Sequence, residues 1–145
     1  MLSSNIYTIQ LVLEWIICLL LTGLIWTVQL VHYPSFQFIE KDSFVEFEKF
    51  HQRKISILVI PLMILEVLLS FYNLFTSKLG LIYQISFTAL VLIWLSTFTL
   101  SVPLHNRLSK AYDPKAISNL INSNWPRTIL WTTRSLILGS LLMKG

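Results

Sequence analysis

Hydrophobic positions in this chain run in long stretches rather than in the periodic patterns of a soluble domain. Residues 9–31 are apolar apart from Glu14 and a few uncharged polar positions, and residues 55–75 form a second stretch broken only by Glu66. Residues 79–104 carry no charge, while the shorter stretch 127–143 holds Arg134. A helix of roughly 20 apolar residues crosses a bilayer, so the pattern predicts an all-α fold, a four-transmembrane-helix bundle with spans at 9–31, 55–75, 79–104 and 127–143. Four spans with short links account for nearly the whole chain, which reads as one integral membrane domain, 1–145. No Lys or Arg precedes the first span and its apolar core is too long for a cleavable leader, so it is expected to stay attached.

The links carry their own signals. Tyr33-Pro34 is expected to end the first helix, because the residue before proline is pushed out of the helical region. Ser43 with Glu46 has the form of a capping box, and a helical pattern runs from there to Leu74, roughly 48 Å at 1.5 Å per residue. That exceeds the bilayer core and predicts an extended amphipathic start to the second helix. In it Asp42, Glu46, Lys49 and Arg53 line one face, and Phe44, Phe47 and His51 the other. Pro61 lies inside this span and is expected to kink it. Asp113-Pro114 reads as an N-cap followed by proline at the first helical position. With Ile117, Leu120 and Ile121 behind it, it predicts a short interfacial helix between helices 3 and 4, before Asn122, Asn124 and Pro126 turn the chain into the last span. A tight turn is expected around 77–80.

Composition agrees with the pattern. The 145 residues are 54% hydrophobic and only 12% charged, with a mean hydropathy of +0.67, against about 25% charged in ordinary soluble domains. The lipid bilayer is therefore the first partner. The lone cysteine, Cys18, excludes an internal disulfide and reads as a small apolar helix residue. Eight of the eleven Lys and Arg residues fall on the face that receives the ends of spans 1 and 3 and the starts of spans 2 and 4. The positive-inside rule sets this face in the cytoplasm of a cell-membrane protein and both termini outside. The net charge of +4 thus reads as topology and attraction to anionic headgroups. Without interleaved aromatic and basic residues, no nucleic-acid partner is expected.

All three histidines, His32, His51 and His105, fall on that same face. Three neutral imidazoles with an open position make a catalytic metal centre, for which Zn, Cu or Fe are the candidate ions. Two from facing helices could instead hold a non-covalent haem, while the lack of a CxxCH motif excludes a covalent one. Gln29, Tyr33, Gln52 and Asn106 are available to orient the rings. Ionisable groups inside spans usually face the bundle interior. Arg134 lies at a depth that lets it meet Glu66, whereas Glu14 is expected near the opposite headgroups, solvated there. Arg127, Trp131 and Arg134 share one face of the fourth span, and Trp94, Phe98, Ser101 and His105 one face of the third.

The segment Val102-Pro103-Leu104-His105-Asn106-Arg107-Leu108, followed by Asn124-Trp125-Pro126-Arg127 and then Trp131 and Arg134, resembles the anthrone oxygenase-like family of small four-helix membrane proteins. Pro103, Asn106, Trp131 and Arg134 are the matching positions; His32-Tyr33-Pro34 and His51-Gln52-Arg53 depart from the family pattern. The namesakes of that family oxygenate polycyclic phenolic anthrones to quinones, so the resemblance implies a lipophilic small-molecule substrate, aromatic or quinone-like.

Two functional readings stand open. In one the protein is an oxidoreductase or oxygenase with His51, His105, Arg134 and Glu66 as catalytic residues and His32, His51 and His105 as metal ligands. Tyr33, Asn106, Trp125, Arg127 and Trp131 would then bind substrate, the arginines holding an oxyanion and a tryptophan stacking a ring. A histidine with a pKa of about 6.5 could also remove a phenolic proton without any metal. In the other reading the protein is a non-enzymatic membrane subunit or accessory module with structural histidines. A homo-oligomer is open in both, although no GxxxG motif advertises one.

Overall fold

The computed structural model describes residues 2–76 and 80–144 and is helical almost throughout. Helix α1 is Leu2–Thr27, α2 Tyr33–Ser35, α3 Lys41–Thr76, α4 Gly80–Ser96, α5 Val102–Leu108 and α6 Pro114–Leu142. A wide π-helical turn, Val28–His32, joins α1 to α2, and another, Thr97–Ser101, joins α4 to α5. The described chain therefore forms four long helical segments. The turn expected around 77–80 falls mostly on residues 77–79, outside the described residues; Gly80 follows it with φ 71°, a conformation that costs glycine little.

Three segments, Thr8–Phe38, Lys41–Thr76 and Gly80–Leu108, are long and apolar enough to cross a membrane. The fold is that of a multi-pass helical protein, consistent with residence in a bilayer. Such a setting offers the backbone no water, so its polar groups must bond within the helix. Threonines fit these helices because their hydroxyls bond back to the carbonyl four residues earlier, as Thr22 does to Cys18 at 2.7 Å and Thr99 to Leu95 at 2.7 Å.

The helix end expected at Tyr33-Pro34 is not an end, and the same device recurs at Pro103. Pro34 and Pro103 each lie two residues beyond the end of a π turn, where the Tyr33 N–H reaches back to the Val28 carbonyl and the Val102 N–H to that of Thr97. Proline cannot donate to the carbonyl four residues earlier and its ring collides with it. Widening the preceding turn by one residue relieves both problems, so the helix continues. Similarly, the short interfacial helix expected after Asp113 is not separate but is the first part of α6, which continues through Pro126. The asparagine expected to break it bonds across the bundle instead: Asn124 Nδ2 donates to Gln29 Oε1 at 2.8 Å, and its Oδ1 accepts from Arg127. Asp113 caps α6 as the Asp-Pro pattern predicts, accepting from the N–H groups of Lys115 at 2.9 Å and Ala116 at 3.1 Å. Ser43 does not cap α3; the helix starts at Lys41 and the hydroxyl donates to the Glu40 carbonyl.

Helix α6 packs most extensively on α4 and α1, and α1 also packs on α3, while the contact between α3 and α4 is slight. Gly139 lets α6 approach α1 closely; a Cβ there would stand 3.2 Å from the Trp15 indole nitrogen, which donates to the Ser135 carbonyl at 2.9 Å.

At the centre of the bundle is Arg134, fully buried. Its Nε donates to Glu66 Oε1 at 3.0 Å, its Nη1 to the Ser86 carbonyl and hydroxyl at 2.9 Å each, and its Nη2 to Glu14 Oε1 at 2.5 Å and to the Ser70 hydroxyl. The expected pairing with Glu66 is present. Glu14, by contrast, is not solvated at a headgroup level but buried: it accepts from Ser70 Oγ at 2.6 Å, Asn73 Nδ2 at 2.7 Å and the Tyr83 hydroxyl at 2.7 Å. These donors, with Trp131 Nε1 on Glu66 Oε2 at 3.1 Å, allow two carboxylates to share one guanidinium away from water.

Removing one partner from such a network leaves a bare buried charge, a loss of about 3–5 kcal/mol. Arg134→Met should therefore sharply lower the thermal midpoint in detergent, and adding Glu14→Gln and Glu66→Gln to it should recover part of the loss; an undiminished midpoint in the single variant would refute this account. The Asp113 carboxyl is held below the usual aspartate range, first by the Ala116 N–H and then by Arg107. A lowered folded pKa gives a contribution present above the unfolded value and lost as pH falls through the folded one. Protection of the Ala116 amide, taken against its intrinsic exchange rate at each pH, should thus fall only on acidification below about pH 4, and equally in Asp113→Ala at neutral pH.

Candidate functional site

The two π turns deliver the site. The first carries the chain into Tyr33 and the second into His105, and the Tyr33 hydroxyl stands 2.9 Å from His105 Nε2. The other ring nitrogen, Nδ1, lies 2.6 Å from Glu48 Oε1 on α3, and Glu48 is fully buried. A carboxylate oxygen accepts only, so it fixes the ring proton on Nδ1 and leaves Nε2 to accept from Tyr33. Gln52, one turn after Glu48, holds the pair: its Nε2 donates to Glu48 Oε1 and to the His105 carbonyl, each at 2.9 Å.

The expected convergence of the three histidines is found. His32 Nε2 and His51 Nδ1 are 2.6 Å apart with ring centroids at 4.3 Å, and the His51 and His105 centroids are at 5.7 Å. His51 points with the aromatic face of α3 as its helical position predicts, its ring edge-on to Phe36 at 5.3 Å. Yet among the described residues no group of three His, Cys, Asp or Glu side chains is arranged to hold a metal ion. The reason is geometric. The nitrogens of His32 and His51 face each other, and both nitrogens of His105 are engaged, so the three rings do not aim at one point.

Beside Tyr33 and His105 opens a cavity of about 410 Å³ between the helices, within the range of roughly 300–1,000 Å³ of small-molecule sites. Its wall runs along α3 from Ile55 to Ile64, about 14 Å at 1.5 Å per residue. One end carries Tyr33, His105, Ser101 and Arg127; the rest is mainly apolar, with Leu21, Ile25, Val59, Met63, Trp94 and Trp131, and Ser56 and Thr97 are its other hydroxyl-bearing residues. Arg127 is 7% exposed and stands beside the Tyr33 hydroxyl. Its Nη2 donates to Asn124 Oδ1 and its Nη1 to Thr97 Oγ1 at 3.5 Å, while its Nε has no hydrogen-bond partner. Among the described residues no carboxylate pairs with it.

Of the side chains singled out from the sequence, Tyr33, His105, Arg127 and Trp131 meet at this cavity. Glu66 and Arg134 belong to the buried network instead and touch the cavity wall only through Trp131. Trp125 packs edge-on against Trp26 at 5.9 Å, and Asn106 is exposed; neither lines the cavity. Glu48 stands in a stretch of mixed charge, from Glu40 and Lys41 to Arg53 and Lys54, that reads as a solvated face. Its signal was spacing, since 44, 47, 48 and 51 fall on one helical stripe.

Fold and site together define a polytopic helical protein with a mainly apolar cavity between its helices and a polar end to that cavity. No family model, curated protein or solved structure matches the chain, so the likeness to the anthrone oxygenase-like family rests on its motif residues alone.

Glu48→Leu strips His105 Nδ1 and Gln52 of their shared acceptor and should destabilise the protein by about 1–3 kcal/mol, with Glu48→Gln recovering part of this. Thermal unfolding of both variants in the same detergent checks it; equal melting of Glu48→Leu and wild type would show that the pair carries no strain-bearing role.

Proposed function

We propose that this protein is a membrane-embedded oxidoreductase or oxygenase that takes an aromatic or quinone-like lipophile into the cavity and moves a proton at its polar end. The single observation that supports this reading is the Tyr33–His105–Glu48 chain at the polar end of that mainly apolar cavity. Tyr33 can pass its hydroxyl proton to His105 Nε2 as it takes one from a ligand hydroxyl, and Glu48 on Nδ1 stabilises the imidazolium that results. Arg127 supplies charge-assisted hydrogen bonds to the developing oxyanion. A phenolate or enolate gives up electrons far more readily than its conjugate acid, so proton removal is the enabling step for its oxidation. Glu66 and Arg134 act in this scheme as positioning residues, through the Trp131 indole. The same motif residues that resemble the anthrone oxygenase-like family, Pro103, Trp131 and Arg134, flank or support this cavity, which favours the same substrate class.

In this reading α6 is the fourth span. Its average composition is polar because Arg127, Arg134, Asn124 and Ser135 face inward, while Ile129 and Leu136, exposed at 57% and 69%, offer an apolar outer stripe to lipid. The excess of Lys and Arg on the site face sets that face in the cytoplasm and both termini outside. A transition ion bound by His32 and His51, with His105 joining them, is the metal-dependent form of the proposal and requires the facing imidazoles to part.

The test is turnover of a hydroxyanthrone by the purified protein in mild detergent under air, followed by product absorbance and oxygen uptake, with metal content measured on the same sample. His105→Ala should lower the rate by on the order of 10² or more, and Tyr33→Phe should lower it too. Absence of turnover in wild type, or equal rates in wild type and His105→Ala, would leave the non-enzymatic module as the correct reading.

A further inference from the structure

The cavity is not sealed from its surroundings. Ile60 and Ile64 on α3, and Phe98 and Val102 on the π turn and α5, all line it, yet each is exposed on the outer surface, Ile60 at 52% and Phe98 at 58%. They lie where α3 makes only slight contact with α4 and α5. The exposed side chains are apolar, and so are the surfaces of both helices on either side of the gap, from Ile57 and Leu68 to Leu92 and Leu95. An opening framed in this way communicates with lipid tails rather than with water.

Inside, three donors are left over. Arg127 Nε, Ser101 Oγ and Trp94 Nε1 are buried without hydrogen-bond partners, and all three residues line the cavity. Unmet buried donors are costly, and a buried guanidinium without a carboxylate more so. Arg127 and Ser101 stand with Tyr33 at the polar end. Trp94 lies seven residues before Ser101, about 10 Å deeper along the helix.

We infer that the natural occupant is an amphiphilic anion that enters sideways from the bilayer through the gap between α3 and α4–α5, with its oxyanion on Arg127 and Ser101 and its apolar body pointing inward. This deepens the proposed function by fixing the charge and route of the substrate, and it rests on that reading only in taking the cavity as the substrate site. The shared chemistry, an anionic oxygen on an apolar body, fits both a phenolate and a fatty carboxylate. The Trp94 N–H separates them, since a polycyclic hydroxyketone can present a second acceptor at that depth and an alkyl chain cannot.

The experiment needs no turnover. A hydroxyanthraquinone changes colour on ionisation, so its bound charge state is read from its visible band, and quenching of Trp94 and Trp131 reports occupancy. Bound to wild-type protein in proteoliposomes, at a pH where the free dye is neutral, it should display the phenolate band. Arg127→Gln should abolish that band and weaken binding at least tenfold, and Trp94→Phe should weaken it less. Ser101→Ala, which leaves the Arg127–Asn124 bond intact, guards against a folding defect and should weaken binding severalfold. Laurate competing more tightly than the dye, and insensitive to Trp94→Phe, would assign the fatty carboxylate instead as the source of the anion. Ile60→Trp should slow binding from lipid severalfold, with the rate in wild type following the dye's mole fraction in the membrane. An unsubstituted anthraquinone binding as tightly as the hydroxylated one, with no effect of Arg127→Gln, would overturn the anionic assignment; a rate set by the aqueous concentration alone would overturn the lateral route. A protein that binds the phenolate but oxidises no hydroxyanthrone would uphold this inference while removing the catalytic reading.

Discussion

A guanidinium in the middle of an apolar bundle must be held from every side, and Arg134 is. Its partners come from the three other long segments: Glu14 on α1, Glu66 and Ser70 on α3, and Ser86 on α4, with Arg134 itself on α6. In lipid, apolar surface gives little drive for one helix to prefer another, and the stripes of leucine and isoleucine along these helices would fit many registers. The network accepts one. Sliding α6 by a single turn would strand two carboxylates in a dry interior, so the depth and rotation of each segment are tied to the same point.

The site inherits its geometry from that point through Trp131. Its indole N–H donates to Glu66 while its ring forms part of the cavity wall, so network and cavity share one side chain. The polar end is set by a different device. Pro34 and Pro103, in separate segments, are each accommodated by a widened turn; Tyr33 directly follows the first turn, and His105 lies two residues after Pro103. Wide turns of this kind are frequent at functional positions because they rotate the following side chains out of ordinary helical phase. Here two of them rotate two residues toward each other, and α3 supplies the buried Glu48 that gives the pair its polarity.

Much of this was written in the order of the residues. The apolar stretches marked three segments plainly, and the helical depth of Glu66 and Arg134 was enough to pair them. The three histidines followed from threading alone. What hydropathy could not carry was direction. Glu14 looked peripheral because its position along the helix is peripheral, and its burial is explained by Ser70, Asn73, Tyr83 and Arg134 on other helices. The prolines read as stops because local sterics make them so, and the remedy, one additional residue in the preceding turn, involves no distinctive residue type. Trp125 and Asn106 sat in the right motif but on the wrong face. Glu48 was hidden in a stretch of mixed charge, though its spacing from Phe44 and His51 placed it on the inward stripe.

Because each widened turn contains one residue more than an α-helix needs, these segments behave as though an insertion had been fixed in them. Excising one residue from 28–32 or 97–101 would return a more regular helix before each proline's predecessor, yet swing everything beyond it by about 100° and carry Tyr33 or His105 away from the other. Length in these two turns is therefore constrained as tightly as any side chain at the site, and the apparent irregularity is where the chain keeps its aim.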